Sequence, residues 1–258
     1  MTINFSAIST SIVKTGVASG TNGTATLVLG GSDTLVVLFI EASLQGGQAD
    51  SGIVTAGSSF TVGGVALTHV PSALSHAGTS NHGFVDLYWG LTTNAGGSIP
   101  TGSQTVSVTI NHTGSPGATG NWLVYACSYT GTPQSGGEIG TACKDSDDAA
   151  SSETLSDGTV TASDLLVGVC CNGSTAPTVT TGQSRGTVNG DTSTASHAGI
   201  RVADNNNSGT TIVFGTNSGD SSGATGIRLI ADTGGGAAYV RPTIVVAPSQ
   251  AVHQAANW

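Results

Sequence analysis

The sequence predicts an all-β fold, an antiparallel β-sandwich of jelly-roll type with short N- and C-terminal extensions. Three observations lead there. Short runs rich in Val, Ile and Thr recur along the chain, alternating apolar with hydroxylated positions as half-buried antiparallel strands require. Clusters of Gly, Asn, Asp and Ser separate these runs in a steady rhythm. No segment of helical length carries a 3.6-residue apolar period with caps, and at most one turn of helix fits, around residues 145–152.

The strands are expected in order at residues 3–13, 24–29, 34–42, 58–62, 84–91, 105–111, 121–129, 165–171, 178–183, 198–203, 210–214, 225–231 and 239–246. The run Thr105-Val106-Ser107-Val108-Thr109-Ile110 is the cleanest, with one apolar and one hydroxylated face. Gly63-Gly64 between two such runs supplies the positive φ of a tight two-residue hairpin turn. Trp89 and Trp122 are large apolar anchors among small residues; they belong to the core or, alternatively, serve as sugar-stacking platforms.

The chain also repeats itself in outline. Gly31-Ser32-Asp33-Thr34-Leu35-Val36-Val37 returns as Thr161-Ala162-Ser163-Asp164-Leu165-Leu166-Val167. Each is followed by a short Thr-rich strand, a loop with histidine and two longer strands. This divides residues 1–232 into pseudo-repeat halves at about 24–131 and 158–232, preceded by an N-terminal strand within 1–13. Two four-strand units, eight strands in two Greek keys, make one jelly roll. Residues 233–258 form a Gly-rich joint, a strand and a tail whose Tyr239, Val252 and Trp258 either dock on another subunit or pack back on the same sandwich.

Composition narrows the function classes. The chain has 258 residues, 39 glycines and only 8% charged residues. Such low charge suits a protein that buries surface against neighbours, or one that is rigid and exposed to harsh surroundings. Its 6 Lys and Arg are scattered among 15 Asp and Glu, so no basic patch exists to neutralise a run of phosphates, and direct nucleic-acid binding is not expected. No stretch approaches the length of a membrane span, and the first residues lack the basic and apolar regions of a secretory signal. Four cysteines do not make a disulfide scaffold in a chain of this length. Cys170 and Cys171 are adjacent on one strand and point to opposite faces, so at most one is expected in the core; Cys127 and Cys143 are free thiols or a bridge closing the loop between them.

Candidate chemistry is sparse. Asp145, Asp147 and Asp148 form the one dense acidic cluster, in a loop expected over 138–157; it is a solvated loop or a weak Ca²⁺ site, without the EF-hand spacing. Asp204-Asn205-Asn206-Asn207 reads as a turn. His69, His76, His82, His112 and His197 lie in or beside loops, with His76 and His82 sharing one that suits a glycan. Glu41 and Asp86 are strand-borne carboxylates with no reason in the sequence to come together, as glycoside hydrolysis would need. Gly219-Asp220-Ser221-Ser222-Gly223 departs from a serine-protease nucleophile segment at its fourth position. No cofactor and no enzymatic activity are expected.

The order of these motifs resembles a jelly-roll module of bacterial surface proteins and of tailed-phage virion proteins, notably minor tail proteins of actinobacterial phages. The residues that carry it are Leu35-Val36-Val37-Leu38, then Phe60-Thr61-Val62-Gly63-Gly64-Val65-Ala66-Leu67-Thr68 with its V-G-G-x-x-L-T core, then Val85-Asp86-Leu87-Tyr88-Trp89-Gly90-Leu91, residues 104–110, and residues 124–131. It extends over about residues 30–232, mostly through the first half. The resemblance implies a virion structural protein, located in the particle after synthesis in the host cytoplasm. A minor tail protein comes first and a capsid decoration protein second, with other virion proteins and further copies of the chain as partners. The other reading is a carbohydrate-binding module for host cell-wall glycan.

Overall fold

The computed structural model describes residues 1–44, 53–76, 83–112, 119–147, 151–173, 175–189, 199–218 and 220–233. These residues form an all-β, antiparallel sandwich structure, and the only helical element among them is a 3-10 turn at Thr93–Ala95. The first half contributes β1 (Asn4–Ile8), β2 (Ile12–Ala18), β3 (Asn22–Leu29), β4 (Asp33–Leu44), β5 (Ile53–Val62) and β6 (Val65–Ala66). It continues with β7 (Thr68–His69), β8 (Ser75–His76), β9 (Gly83–Leu91), β10 (Gly102–His112) and β11 (Thr119–Thr130). The second half contributes β12 (Cys143–Asp147), β13 (Ser152–Ser156), β14 (Leu165–Asn172) and β15 (Thr178–Thr181). Then come β16 (Gln183–Asn189), β17 (Gly199–Asp204), β18 (Thr211–Gly215) and β19 (Ser222–Leu229).

The strands make four sheets stacked as layers. In the first half an inner sheet ordered β1-β11-β4-β9-β7, with β2 also on β11 and β8 also on β9, faces an outer sheet ordered β3-β10-β5-β6. In the second half an inner sheet β12-β19-β14-β17-β16 faces an outer sheet β13-β18-β15. Leu27, Val36, Leu38, Phe60, Val106 and Trp122 fill the first sandwich. Leu155, Leu166, Cys170, Ile212 and Phe214 fill the second. A third core joins the two inner sheets face to face through Leu35, Val37, Phe39, Leu123, Val167, Val169, Ile200 and Ile227.

Strand patterning explains who lies where. In β10 the alternation holds as expected: Val106, Val108 and Ile110 are buried and Thr105 faces outward. The central inner strands are apolar on both faces because both are covered. In β4, Leu35, Val37 and Phe39 enter the junction while Val36, Leu38 and Ile40 enter the first sandwich. In β14, Cys171 enters the junction and Cys170 the second sandwich. Both thiols are therefore core residues, where a half-exposed strand would have buried only one. All four cysteines are free, with Cys127 in the junction and Cys143 beside the core of the second sandwich.

Other expectations change as well. The halves do not supply four strands each to one sandwich; each closes its own pair of sheets, and the two sandwiches meet back to back. The second half begins earlier than residue 158, because the expected acidic loop contains β12 and β13; where a helical turn was expected, residues 145–147 and 152 are strand and residues 148–150 lie outside the described residues. Glu153 occupies an inward position of β13, between exposed Ser152 and Thr154, and so hides the strand's alternation. The predicted strand at 3–13 is two strands, both paired with β11, broken between Ile8 and Ile12.

The repeat has a physical basis. Asp33 and Asp164 each precede the central inner strand of their half. Asp33 accepts the amide N–H of Gly30 on Oδ2 at 2.8 Å and donates its own N–H to the Gly30 carbonyl at 3.2 Å. Asp164 does the same with Thr161, at 3.0 and 3.1 Å. The same carboxylate thus fixes the same turn twice.

Polar bonds stitch the halves at the rim of the junction. Ile3 donates its N–H to the Ser163 carbonyl at 2.9 Å, and Asn207 donates to the Ile3 carbonyl at 2.9 Å. Tyr125 donates its hydroxyl to the Thr187 carbonyl at 2.8 Å. Arg185 pairs with buried Asp204 at 2.5 and 3.1 Å and lies over the Phe5 ring at 4.5 Å. Gly186 allows the close approach, since a Cβ there would sit 2.6 Å from Cδ1 of Ile8.

Phe39 is fully buried at the centre of this junction. Phe39→Ala is expected to lower stability by about 3–5 kcal/mol in urea denaturation. Because Phe39 packs into the core the two sandwiches share, the loss should appear as a lowered urea midpoint read by tryptophan fluorescence and far-UV circular dichroism.

Candidate functional site

The open edge of the first inner sheet carries the clearest grouping of chemically capable side chains. It is built by the V-G-G hairpin. Gly63 and Gly64, at φ 60° and 78°, turn β5 back into β6 with Val62 opposite Val65. The chain then crosses to the inner sheet and lays β7 along β9, with Thr68 opposite Trp89 and His69 opposite Tyr88. Alternation sends these pairs to opposite faces of the edge.

On one face is a cleft of about 240 Å³ lined by Thr68, Trp89, Gly90, Leu91, Gly97 and Ser98, among others. Trp89 is half-buried in it, whereas Trp122 is buried in the first sandwich core. The cleft depends on Gly97, where a Cβ would lie 2.2 Å from the Leu91 carbonyl oxygen. Its lining residues include aromatic Trp89, which also packs partly against the junction core, and hydroxylated Thr68 and Ser98, residue types suited to a neutral polar ligand with an apolar face.

On the other face His69 Nε2 lies 2.9 and 3.0 Å from the two carboxylate oxygens of Asp86. Asp86 is 3% exposed, and its Oδ1 also accepts the Leu87 amide N–H at 2.9 Å. The imidazole sits 4.9 Å from the Tyr88 ring, which stacks on Phe60 at 4.1 Å. The hydrogen bond to Asp86, aided by its charge and opposed by partial burial, raises the His69 pKa above 6.5. Burial and then the Asp86 charge push the Tyr88 hydroxyl well up. The pair holds a proton and pins β7 to β9. No hydroxyl or thiol among the described residues is hydrogen-bonded to the imidazole.

A second cleft, about 510 Å³, opens beside β12 between Thr141, Cys143, Ser156, Asp157, Thr159 and Arg228. Its charges are internally matched: Arg228 lies 3.7 Å from Asp157 and 3.8 Å from Asp164 and donates to the Thr159 carbonyl. Burial, then the Asp157 charge, pushes the Cys143 thiol up to about 11, so it is a neutral thiol at ordinary pH.

The residues singled out from the sequence are dispersed. Asp145 spends both carboxylate oxygens on backbone, accepting the Ser146 N–H at 3.1 Å and the Thr154 N–H at 2.6 Å. Asp147 pairs through β12 with Ser222, and Asp148 lies outside the described residues. Among the described residues no group of three His, Cys, Asp or Glu stands in position to hold a metal. His76 pairs with Phe84 across β8 and β9, while His82, Tyr239, Val252 and Trp258 lie outside the described residues. Glu41 and Asp86 sit on neighbouring strands, but Glu41 is opposite Val85 and Asp86 opposite Ile40, so they face opposite ways. Ser222 donates to the carboxylate of Glu153 inside the second half. Asn206 and Asn207 hold φ of 51° and 54°, as a turn after Asp204 requires.

The His69–Asp86 pair was not visible as a pair, because its members lie 17 positions apart on different strands. The signal in reach was the hairpin itself, which returns the chain alongside the strand bearing Asp86. Comparison with protein-family models, with curated proteins and with solved structures finds no match.

Asp86→Asn removes the charge that His69 leans on. The folded pKa of His69 is raised, so its contribution to stability is complete below pH 6.5 and is lost as pH rises through the folded value. In the variant, NMR titration of the His69 ring should return its pKa toward 6.5, and the stability change across that window should flatten.

Proposed function

We propose that this chain is a structural protein of a tailed-bacteriophage particle, and within that class a minor tail protein that assembles as a homo-oligomer and presents a rigid β block at the particle surface. The observation that carries this reading is the back-to-back pair of sandwiches joined by a continuous apolar core. A jelly-roll reading of each half is supported by the strand order: β1 and β2, β11, β4 and β9 on one sheet face β3, β10, β5 and β6 on the other, and β12, β19, β14 and β17 face β13, β18 and β15. The same chain path twice, fused through the inner sheets, makes a stiff spacer with loops at its ends. The outer strands β3, β5 and β10 contain no Asp, Glu, Lys or Arg, leaving a hydroxylated, uncharged face for contact with neighbours. The sequence resemblance to virion modules points the same way.

Mass spectrometry and immunogold labelling of purified particles are expected to find the chain at a constant copy number on the tail. Labelling confined to the head would replace the tail reading with capsid decoration, and absence from the particles would remove both.

One observation favours a second reading, carbohydrate binding. Trp89 presents an aromatic surface in an open cleft with Thr68 and Ser98 beside it. Affinity electrophoresis in gels containing solubilised cell-wall polysaccharide is expected to retard the chain, with Trp89→Ala restoring free migration. Equal migration of chain and variant would sink this reading and leave the structural one standing.

A further inference from the structure

Buried polar groups are nearly always hydrogen-bonded, and the junction between the two sandwiches holds an exception. Glu41 lies on β4, opposite Val85 of β9 and Leu123 of β11. It continues the row of Leu35, Val37 and Phe39 that enters the junction. Glu41 is fully buried, and neither carboxylate oxygen has a hydrogen-bond partner. Ser43, next along the same row, is 2% exposed, with its hydroxyl also unpartnered.

Among the described residues no charge offsets this carboxyl. From β14, across the junction, the titratable group that senses it is the Cys171 thiol. On the flanking strands Val85, Leu87 and Leu123 are apolar, and Tyr125 gives its hydroxyl to Thr187. Asp86 of β9 lies on the opposite face with His69, and Lys144 of β12 donates to the Leu74 carbonyl. Burial raises the Glu41 pKa well above 4.5, so the packed junction favours the neutral form of the acid.

We propose that Glu41 makes the packing of the two sandwiches against each other pH-dependent: the junction closes around the neutral acid and opens, with each sandwich intact, when the carboxyl ionises. The packed form binds one more proton than the open form over the window between 4.5 and the raised value. Junction stability is therefore complete below that window and falls as pH rises through it, the open form gaining about tenfold per pH unit.

The chain carries its own reporters. Cys127 and Cys171 face the junction, whereas Cys170 faces the interior of the second sandwich. Pulse labelling with a thiol reagent, read cysteine by cysteine by mass spectrometry, is compared at each pH between the full chain and Glu41→Gln, which cancels the ionisation of the thiols themselves. The ratio of the two rates is expected to be one in acid and to rise by about tenfold per pH unit at Cys127 and Cys171 above the ordinary carboxyl range, while staying at one for Cys170. A ratio of one at every pH overturns the proposal. So does a rise at Cys170 equal to that at Cys171, which would mean that the whole chain unfolds. Glu41→Leu is the reference should the glutamine variant not fold, with the same outcomes.

Discussion

The contact on which the rest of the molecule depends is the face-to-face packing of the two inner sheets. A two-layer sandwich leaves half of its sheet faces to solvent; four layers have eight faces and cover six of them. This accounts for the shape of the composition. Strands β4, β11, β14 and β19 must be apolar or small on both faces, and the outer strands need one apolar face each. Little strand surface remains on which charge would be favourable, so a chain with only 8% charged residues follows from layering as well as from surroundings.

Where polar groups do enter the layers, nearly all are tied to backbone. Asp33 and Asp164 hold the turns that launch the central inner strands, and Asn205 accepts the Leu166 N–H at 3.1 Å. Glu153 takes its hydrogen bond from Ser222. These side chains locate strand ends and sheet registers, and their positions recur between halves because the same turns recur. Glu41 stands apart. Its row is otherwise apolar up to Ser43, and the junction closes over both polar groups without a hydrogen-bond partner. A carboxyl at that place weakens the contact that organises the fold.

The edge site has a different origin. β7 is only two residues long, so its place on β9 rests on more than its ladder: the His69–Asp86 pair and the stack of His69, Tyr88 and Phe60 hold it there. The Trp89 cleft on the other face exists because the 3-10 turn at Thr93–Ala95 and Gly97 bring the chain back against Leu91. Both features belong to the β7 edge of the first inner sheet, where His69 is partly exposed and Trp89 and Leu91 pack partly against the junction core.

The all-β class, the alternation of β10, the Gly63-Gly64 turn and the repeated Asp-led strands were legible in the sequence, because each depends on residues near one another in the chain. The strands β12 and β13 were not, since an inward Glu153 and the aspartates of β12 imitate a loop until a covering sheet makes them a strand. Neither was the burial of both Cys170 and Cys171, which needs a second sheet on the far face of β14. The number of sandwiches, the pairing of His69 with Asp86 and the isolation of Glu41 were decided by tertiary structure alone. Local pattern determines which face of a strand is apolar; what covers that face is set by contacts between segments far apart in the chain, whose partners no local pattern names.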